Sequence, residues 1–293
     1  MRREPNPNQS RPQLPGKRSA QALFWDLVPV ASLILAAGVS LYDVPTTFDV
    51  SAITDRLTIN TSKSTEPLTW TFQTVVIENG FDGTPESISM GTFQPSSEIN
   101  IRFQRIERNL LSIDCEANNP NQSVGTFSGD GQNRQLLNRV LFKVRISSDG
   151  GNPIFPITGQ ISIGNVGRPE SPFPGEAILH SGTVKPIGYS LFSHSRYEAD
   201  STALEPGDQF EIDPDGQPES SGLVAADDGL SMQVTYRGTG KVGHVSRFGA
   251  TGFDIDIPMV QRIKHDEVVQ GIWGVFIFLM GIKVLRRNEG ETN

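Results

Sequence analysis

The sequence has a single cysteine, Cys115, in 293 residues. One thiol excludes a disulfide within the chain, so the fold must be stabilised by an apolar core. The setting of Cys115, in the strand-like stretch LLSIDCEAN, predicts a partly buried and inert thiol. A nucleophile or a bridge between two chains is the alternative use of a lone cysteine.

The sequence also lacks the common catalytic motifs. It has no Walker loop, no G-x-G-x-x-G after a strand, no H-E-x-x-H and no G-x-S-x-G. No histidine is spaced two to four residues from another histidine or cysteine, as zinc ligands usually are. The histidines are His180, His194, His244 and His265. Serines adjoin His180 and His194, but adjacent strand residues point to opposite faces of a sheet. We therefore expect no enzymatic activity.

Aromatic side chains that could stack on a sugar are scarce. Of three tryptophans, Trp25 and Trp273 lie in long apolar runs, which leaves Trp70 on the apolar face of a predicted strand. Basic residues are scarce too, because residues 43–266 contain 17 of them against 28 acidic residues, a net charge of −11. This balance argues against a nucleic-acid partner. The sequence gives no support for a carbohydrate site.

Charge is absent from residues 27–42, the larger part of an apolar stretch over residues 22–42. About 20 apolar residues suffice for a helix to cross a bilayer, so this stretch is predicted as transmembrane helix 1. Before it, residues 1–20 carry five basic residues and one acidic residue, and have the composition of a disordered cytoplasmic tail. The alternative interpretation is a secretory signal that is cleaved near residues 36–38.

A second apolar run covers residues 268–285 and is followed by Arg286 and Arg287. We predict transmembrane helix 2 here, with residues 286–293 as a short cytoplasmic tail. The expected protein thus crosses the inner (plasma) membrane twice, with both termini in the cytoplasm and the lipid bilayer as a partner. Residues 43–266 would form the domain outside the cytoplasm.

Small residues recur within both apolar runs. Ser32, Ala36 and Ser40 follow one another at every fourth position, and Gly271 and Gly274 lie three apart. Positions three or four apart share a helix face, and small side chains let two helices approach closely. These five residues are therefore predicted to form a helix–helix contact.

Alternation of apolar and polar residues with a period of two dominates residues 43–266. Turn dipeptides such as Asn79-Gly80 and Asp228-Gly229 separate the alternating runs. About ten short strands with these turns predict an antiparallel β-sandwich or jelly-roll-like domain. The predicted strands lie at residues 47–61, 68–76, 99–103, 140–146, 157–163, 177–192, 209–212, 230–236, 242–248 and 253–260.

One acidic loop has a pattern related to calcium sites. The D-P-D-G core at residues 213–216 places carboxylates at alternate positions, with a glycine that permits the bend. It lacks the third ligand before the glycine and the final glutamate of an EF-hand loop. We therefore expect either a weak calcium site at Asp213, Asp215 and Glu219 or a solvated acidic loop that also contains Asp208 and Glu211. No other cofactor is predicted.

The function expected from these features is that of a structural or protein-interaction module. The β-domain would be held at the membrane as an accessory subunit of a membrane complex. Its partner would be a membrane or envelope protein, or a second copy of the chain. Two alternatives stay open: a module that senses a ligand or Ca²⁺, and a small effector whose two helices form a pore.

Overall fold

Antiparallel strands make up most of the described part of the chain. The computed structural model describes residues 45–62, 68–81, 84–129, 131–146, 153–164, 179–213, 220–226, 229, 231–247, 250–275 and 277–278. Each strand pairing in these residues is antiparallel. The predicted class, mainly β with antiparallel sheets, is confirmed.

Twenty strands and two short helical segments are described. The strands are β1 (Thr46–Thr54), β2 (Arg56–Asn60), β3 (Trp70–Phe72), β4 (Val75–Glu78), β5 (Glu86–Ile88), β6 (Gly91–Pro95), β7 (Ile99–Glu107), β8 (Leu110–Ala117), β9 (Gly125–Gly129), β10 (Gln132–Gln135), β11 (Arg139–Arg145), β12 (Ile154–Ile163), β13 (Leu179–Tyr189), β14 (Arg196–Glu198), β15 (Thr202–Leu204), β16 (Asp208–Ile212), β17 (Ser220–Ala226), β18 (Met232–Gly240), β19 (Gly243–Arg247) and β20 (Phe253–Ile255). Helix α1 covers Met259–Lys264. A further helical segment, residues 267–278, is called the C-terminal helix below; residue 276 lies outside the description.

The strands form one large sheet and one small sheet. Twelve strands of the large sheet follow the order β14-β13-β1-β18-β17-β12-β2-β7-β8-β11-β4-β5, and β15, β16, β19 and β20 attach beside this path. The small sheet has the order β10-β9-β6-β3. Strand β18 alternates strictly between buried and exposed residues, as expected of a strand with one face on a core.

Strand β12 connects the two halves of the large sheet. Residues 154–159 of β12 pair with β17, whereas residues 160–163 pair with β2 on one side and, at their end, with β16 on the other. The change of partner falls at Gly159, which has φ of +143°. A Cβ atom there would lie 2.5 Å from the carbonyl oxygen of Asn60, so only glycine allows this approach.

The first core lies between the small sheet and the large sheet and is aromatic. The Trp70 ring of β3 is 5.5 Å from Phe93 in its own sheet, and 5.4 and 5.7 Å from Phe103 and Phe155 in the large sheet. The indole N–H of Trp70 donates to the carbonyl oxygen of Pro156 at 2.8 Å. The prediction that Trp70 belongs to the core is confirmed, because its side chain is fully buried.

The buried apolar residues form one cluster, and its part between β1 and β16 is called the second core below. Phe48 of β1 meets Phe210 of β16 edge to face, with ring centroids 6.4 Å apart. Gly243 of β19 borders this contact, where a Cβ atom would approach the Phe210 ring to 2.7 Å. The close packing of β19 on this core therefore requires a residue without a side chain.

Two features of the secondary structure differ from the sequence-based prediction. The structure has twice the expected number of strands, because short polar strands such as β10 (QNRQ) carry no apolar alternation. The strand predicted at residues 253–260 ends at Ile255 instead, and α1 begins at Met259. Pro258 precedes that helix with φ of −57°, which suits a helix start, and a proline does not donate to a strand ladder.

The predicted two-pass membrane localisation is wrong for the part of the chain that the structure describes. No helix there is long and apolar enough to cross a bilayer. Transmembrane helix 1 (residues 22–42), the last seven residues of transmembrane helix 2 (268–285) and both tails (1–20 and 286–293) lie outside the described residues.

The aromatic core gives the first testable prediction, for Trp70→Phe. The substitution keeps an aromatic ring but removes the hydrogen bond to Pro156 and part of the buried volume. We expect the free energy of unfolding to fall by about 1–3 kcal/mol, measured by urea denaturation followed by circular dichroism. Trp273→Phe is the matched control, because Trp273 is 59 % exposed, and a similar loss there would contradict the assignment.

Candidate functional site

The C-terminal helix is attached to the β-strands through the buried carboxylate of Asp266. One carboxylate oxygen accepts hydrogen bonds from the backbone N–H groups of Phe192 and Ser193, at 2.6 and 3.3 Å. The other oxygen accepts from the N–H groups of Val268 and Val269, at 3.0 and 3.3 Å. Asp266 therefore caps the helix N-terminus and binds the turn after β13 at the same time.

The ionisation of Asp266 follows from these contacts. Burial alone would raise the pKa of the carboxyl group. The four backbone N–H groups lower the pKa by a larger amount, so it lies below its ordinary value. Asp266 is fully buried. Its charged form is thus the one that holds the helix and the turn together at neutral pH.

The turn after β13 is closed by three serines. The hydroxyl groups of Ser190, Ser193 and Ser195 lie 2.6 to 3.0 Å from one another. The N–H of Ser195 also donates to the Ser190 hydroxyl at 2.9 Å, and His194 between them has φ of +50°. These hydroxyl groups hydrogen-bond with each other and shape the turn that Asp266 binds.

Helix α1 fixes the chain just before Asp266. The guanidinium group of Arg262 is buried and donates to the Thr46 hydroxyl at 2.8 Å, at the first residue of β1. His265 stacks on the Tyr197 ring of β14 with centroids 4.5 Å apart. The C-terminal helix therefore begins from a point that is attached to two different strands.

The C-terminal helix exposes its apolar side chains. Large apolar side chains that are 46 to 67 % exposed follow one another along it, and we call them the C-terminal apolar surface: Val268, Ile272, Trp273, Val275, Ile277 and Phe278. Among the described residues, a Cβ atom at Gly271 or Gly274 would meet no atom within 4 Å. Of the predicted helix-packing residues, Gly271 and Gly274 lie in this helix, whereas Ser32, Ala36 and Ser40 lie outside the description.

The predicted calcium residue Asp213 borders a small cavity at the end of β16. The cavity has a volume of about 240 Å³, and Glu211, His244 and Asp254 also line it. His244 Nδ1 lies 2.5 Å from a carboxylate oxygen of Asp254. Asp215 and Glu219 lie outside the described residues. Within the described residues, no three His, Cys, Asp or Glu side chains are arranged so that they could hold a metal ion. The calcium site stays a prediction.

Asp208, from the same acidic segment, has a structural role that the sequence did not indicate. Its carboxylate is buried and receives two hydrogen bonds from Arg247, at 2.8 and 3.0 Å, and one from the Glu205 N–H at 2.9 Å. Burial alone would raise the pKa of Asp208. Arg247 and the Glu205 N–H lower the pKa by a larger amount, to below its ordinary value. Asp208 thus holds β16 to β19.

Cys115 and His180, which the sequence analysis also considered, have defined neighbours in the structure. Cys115 is a free thiol that is fully buried, more so than the partly buried thiol expected, and its pKa is raised well above its ordinary value by burial and by Asp114. His180 Nε2 lies 2.8 Å from a carboxylate oxygen of Asp55, at the short break between β1 and β2.

The fold and these contacts define a mainly β protein with antiparallel sheets, in which an apolar helix follows the last strand. Comparison with known protein families, with curated proteins and with solved structures found no match.

A second prediction concerns the pH dependence of the Asp266 contacts, tested with Asp266→Asn. The pKa is lowered in the folded state, so the stability that the carboxylate contributes is present above its unfolded pKa of about 3.9 and is lost as the pH falls further. At pH 7 we expect the variant to be less stable by about 1–3 kcal/mol. The difference should shrink below about pH 4, measured by urea unfolding between pH 7 and pH 3.

The control for this measurement is Asp256→Asn, an exposed carboxylate three residues before the start of α1. It should leave the unfolding free energy nearly unchanged over the same pH range. A stability difference for Asp266→Asn that persists unchanged at pH 3 would contradict the role of the charged carboxylate.

Proposed function

We propose that this protein is a protein-interaction module, in which a β-sandwich of jelly-roll-like type supports the C-terminal helix as its docking element. The observation that carries the proposal is the C-terminal apolar surface, six large apolar side chains within residues 268–278 that are about half or more exposed. Contiguous exposed apolar side chains of this extent are typical of protein contact sites. Burial at about 25 cal/mol per Å² would make such a contact favourable.

The way in which the helix is attached supports the same role. Asp266 holds the helix N-terminus to the turn after β13, and Arg262 holds α1 to the start of β1. A docking element that is oriented before binding loses less conformational entropy when the complex forms. The β-strands thus contribute by presenting the helix in a fixed direction.

The proposed occupant of this surface is the same helix of a second copy of the chain. Gly271 and Gly274 lie three residues apart, hence on one face, and no described atom fills the space beside them. Each glycine in the interior of a helix lowers the stability of that helix by about 1 kcal/mol relative to alanine. A close helix–helix contact at the two glycines offsets that cost, since ridges of one helix can then pack into the grooves of the other.

The third prediction tests this contact by sedimentation velocity of the full chain. We expect the wild-type protein to self-associate as its concentration rises. Ile272→Asp combined with Phe278→Asp should raise the dissociation constant at least tenfold, because two buried charges would oppose the contact. Ile53→Asp is the control, since Ile53 is an exposed apolar residue of β1, and it should leave self-association unchanged.

A second substitution separates specific helix packing from general apolar adhesion. Gly271→Leu makes the helix more apolar but blocks close approach, so it should weaken a specific contact and strengthen unspecific adhesion. A wild-type chain that stays monomeric at all concentrations, or equal association of all variants, would refute self-association through this helix.

A calcium-sensing role is the second candidate, and the acidic lining of the Asp213 cavity favours it. Glu211, Asp213 and Asp254 carry hard oxygen atoms of the kind that Ca²⁺ prefers, although the described side chains do not form a ready metal site. A ligand that binds only the native state raises the midpoint of thermal unfolding. We expect about 1 mM Ca²⁺ to raise the midpoint by a few degrees and Asp213→Asn to abolish the effect, with Mg²⁺ as the control ion. An unchanged midpoint up to about 10 mM Ca²⁺ would refute this role.

A further inference from the structure

A shallow basin with several polar side chains lies on the outer face of the large sheet, where β13, β1, β18 and β17 run side by side. The register of these strands sets two neighbouring rows of outward-facing side chains. The first row is Lys185, Asp49, Arg237 and Ser221, and the second is Thr183, Ser51, Thr235 and Leu223. Together they line a shallow cavity of about 640 Å³, within the size range of small-molecule sites.

The basin offers hydrogen-bond donors and acceptors in fixed positions. Arg237 forms two hydrogen bonds with the Asp49 carboxylate, at 2.5 and 2.8 Å, across strands β18 and β1. The hydroxyl groups of Ser51, Thr183, Thr235 and Ser221 surround this pair and can both donate and accept. Leu223, which is 50 % exposed, adds an apolar contact.

Cations prevail around the basin, although the domain as a whole is acidic. Lys185 forms an ion pair with Glu198, and Arg237 pairs with Asp49. Arg196 lies opposite Tyr189 in the β13–β14 pairing, and no described carboxylate forms an ion pair with it. Hydrogen bonding by Arg237 lowers the pKa of Asp49, burial opposes this, and the charges of Arg237, Arg196 and Lys185 lower it further. The three cations Lys185, Arg237 and Arg196 therefore outnumber the two carboxylates Asp49 and Glu198 by one.

We propose that this basin binds a saccharide that carries a carboxylate group. The hydroxyl groups and the Asp49–Arg237 pair match the donors and acceptors of sugar hydroxyls, and Arg196 with Lys185 would bind the carboxylate. Tyr189, 37 % exposed beside this group, offers an aromatic face to the apolar side of a sugar ring. This site is separate from the C-terminal apolar surface and does not depend on the proposed self-association.

Two other kinds of ligand fit the basin less well. A peptide that binds a sheet usually adds to a free strand edge, but β13, β1, β18 and β17 each have partners on both sides. A long polyanion such as a nucleic acid would meet the net charge of −11 carried by residues 43–266. A short acidic sugar needs neither a free edge nor an extended basic surface.

Isothermal titration calorimetry with the full chain tests the proposal. The probes are trigalacturonate, its methyl ester, which is uncharged but otherwise matched, and a triglutamate peptide, which has the same charge without sugar hydroxyls. We expect trigalacturonate to bind at least tenfold more tightly than either of the other two. Arg196→Gln and Arg237→Gln should each weaken its binding at least tenfold.

Two further variants complete the test. Thr235→Val removes one hydroxyl without a change in charge or shape and should weaken trigalacturonate several-fold, whereas a purely ionic attraction would be unaffected. Arg139→Gln removes an exposed arginine that pairs with Asp114 on the other half of the sheet, and should change nothing. Equal affinity for triglutamate, insensitivity to Thr235→Val, or no heat of binding up to about 10 mM trigalacturonate would each overturn the proposal.

Discussion

The burial of aromatic rings between the small sheet and the large sheet is the interaction on which the rest of the structure depends. With one cysteine in the chain, no internal disulfide limits the unfolded state, so apolar burial must offset the entropy of ordering more than twenty chain segments. Strand β12 carries this core into the second half of the sheet. Its Phe155 packs on Trp70, and its last residues pair with β16, which carries Phe210 of the second core.

The same continuity explains why the C-terminal helix has a defined direction. Phe48 of the second core belongs to β1, and Thr46, two residues earlier, accepts the hydrogen bond of Arg262 in α1. Asp266 then connects the helix to the turn after β13, the strand that pairs with β1. An apolar helix without these attachments would adopt many orientations. Here its first turn is fixed by a buried charge that accepts hydrogen bonds both from that turn and from the distant turn after β13.

The sequence predicted the antiparallel β class, the burial of Trp70 and the inert Cys115, because these depend on local alternation and residue type. Its prediction of a two-pass membrane protein is wrong for the described residues, and it did not predict the contacts between distant residues. Asp208 looked like a loop carboxylate until the structure paired it with Arg247, 39 residues away. Asp49 and Arg237 lie 188 residues apart, and no local pattern in either strand indicates that they meet. Short strands such as β10 were not predicted, because pairing with neighbouring strands, rather than their own residue pattern, determines them.

The strand register that forms the apolar core also fixes the positions of the side chains in the outer basin. In β1, Phe48 and Val50 point inward while Asp49 and Ser51 point outward, so one alternation serves both faces. A slip of one residue against β18 would expose Phe48 and bury Asp49 without Arg237, at a cost of several kcal/mol. The apolar core therefore enforces the register that brings Lys185, Asp49 and Arg237 into one row. A chain that folds at all must form that row.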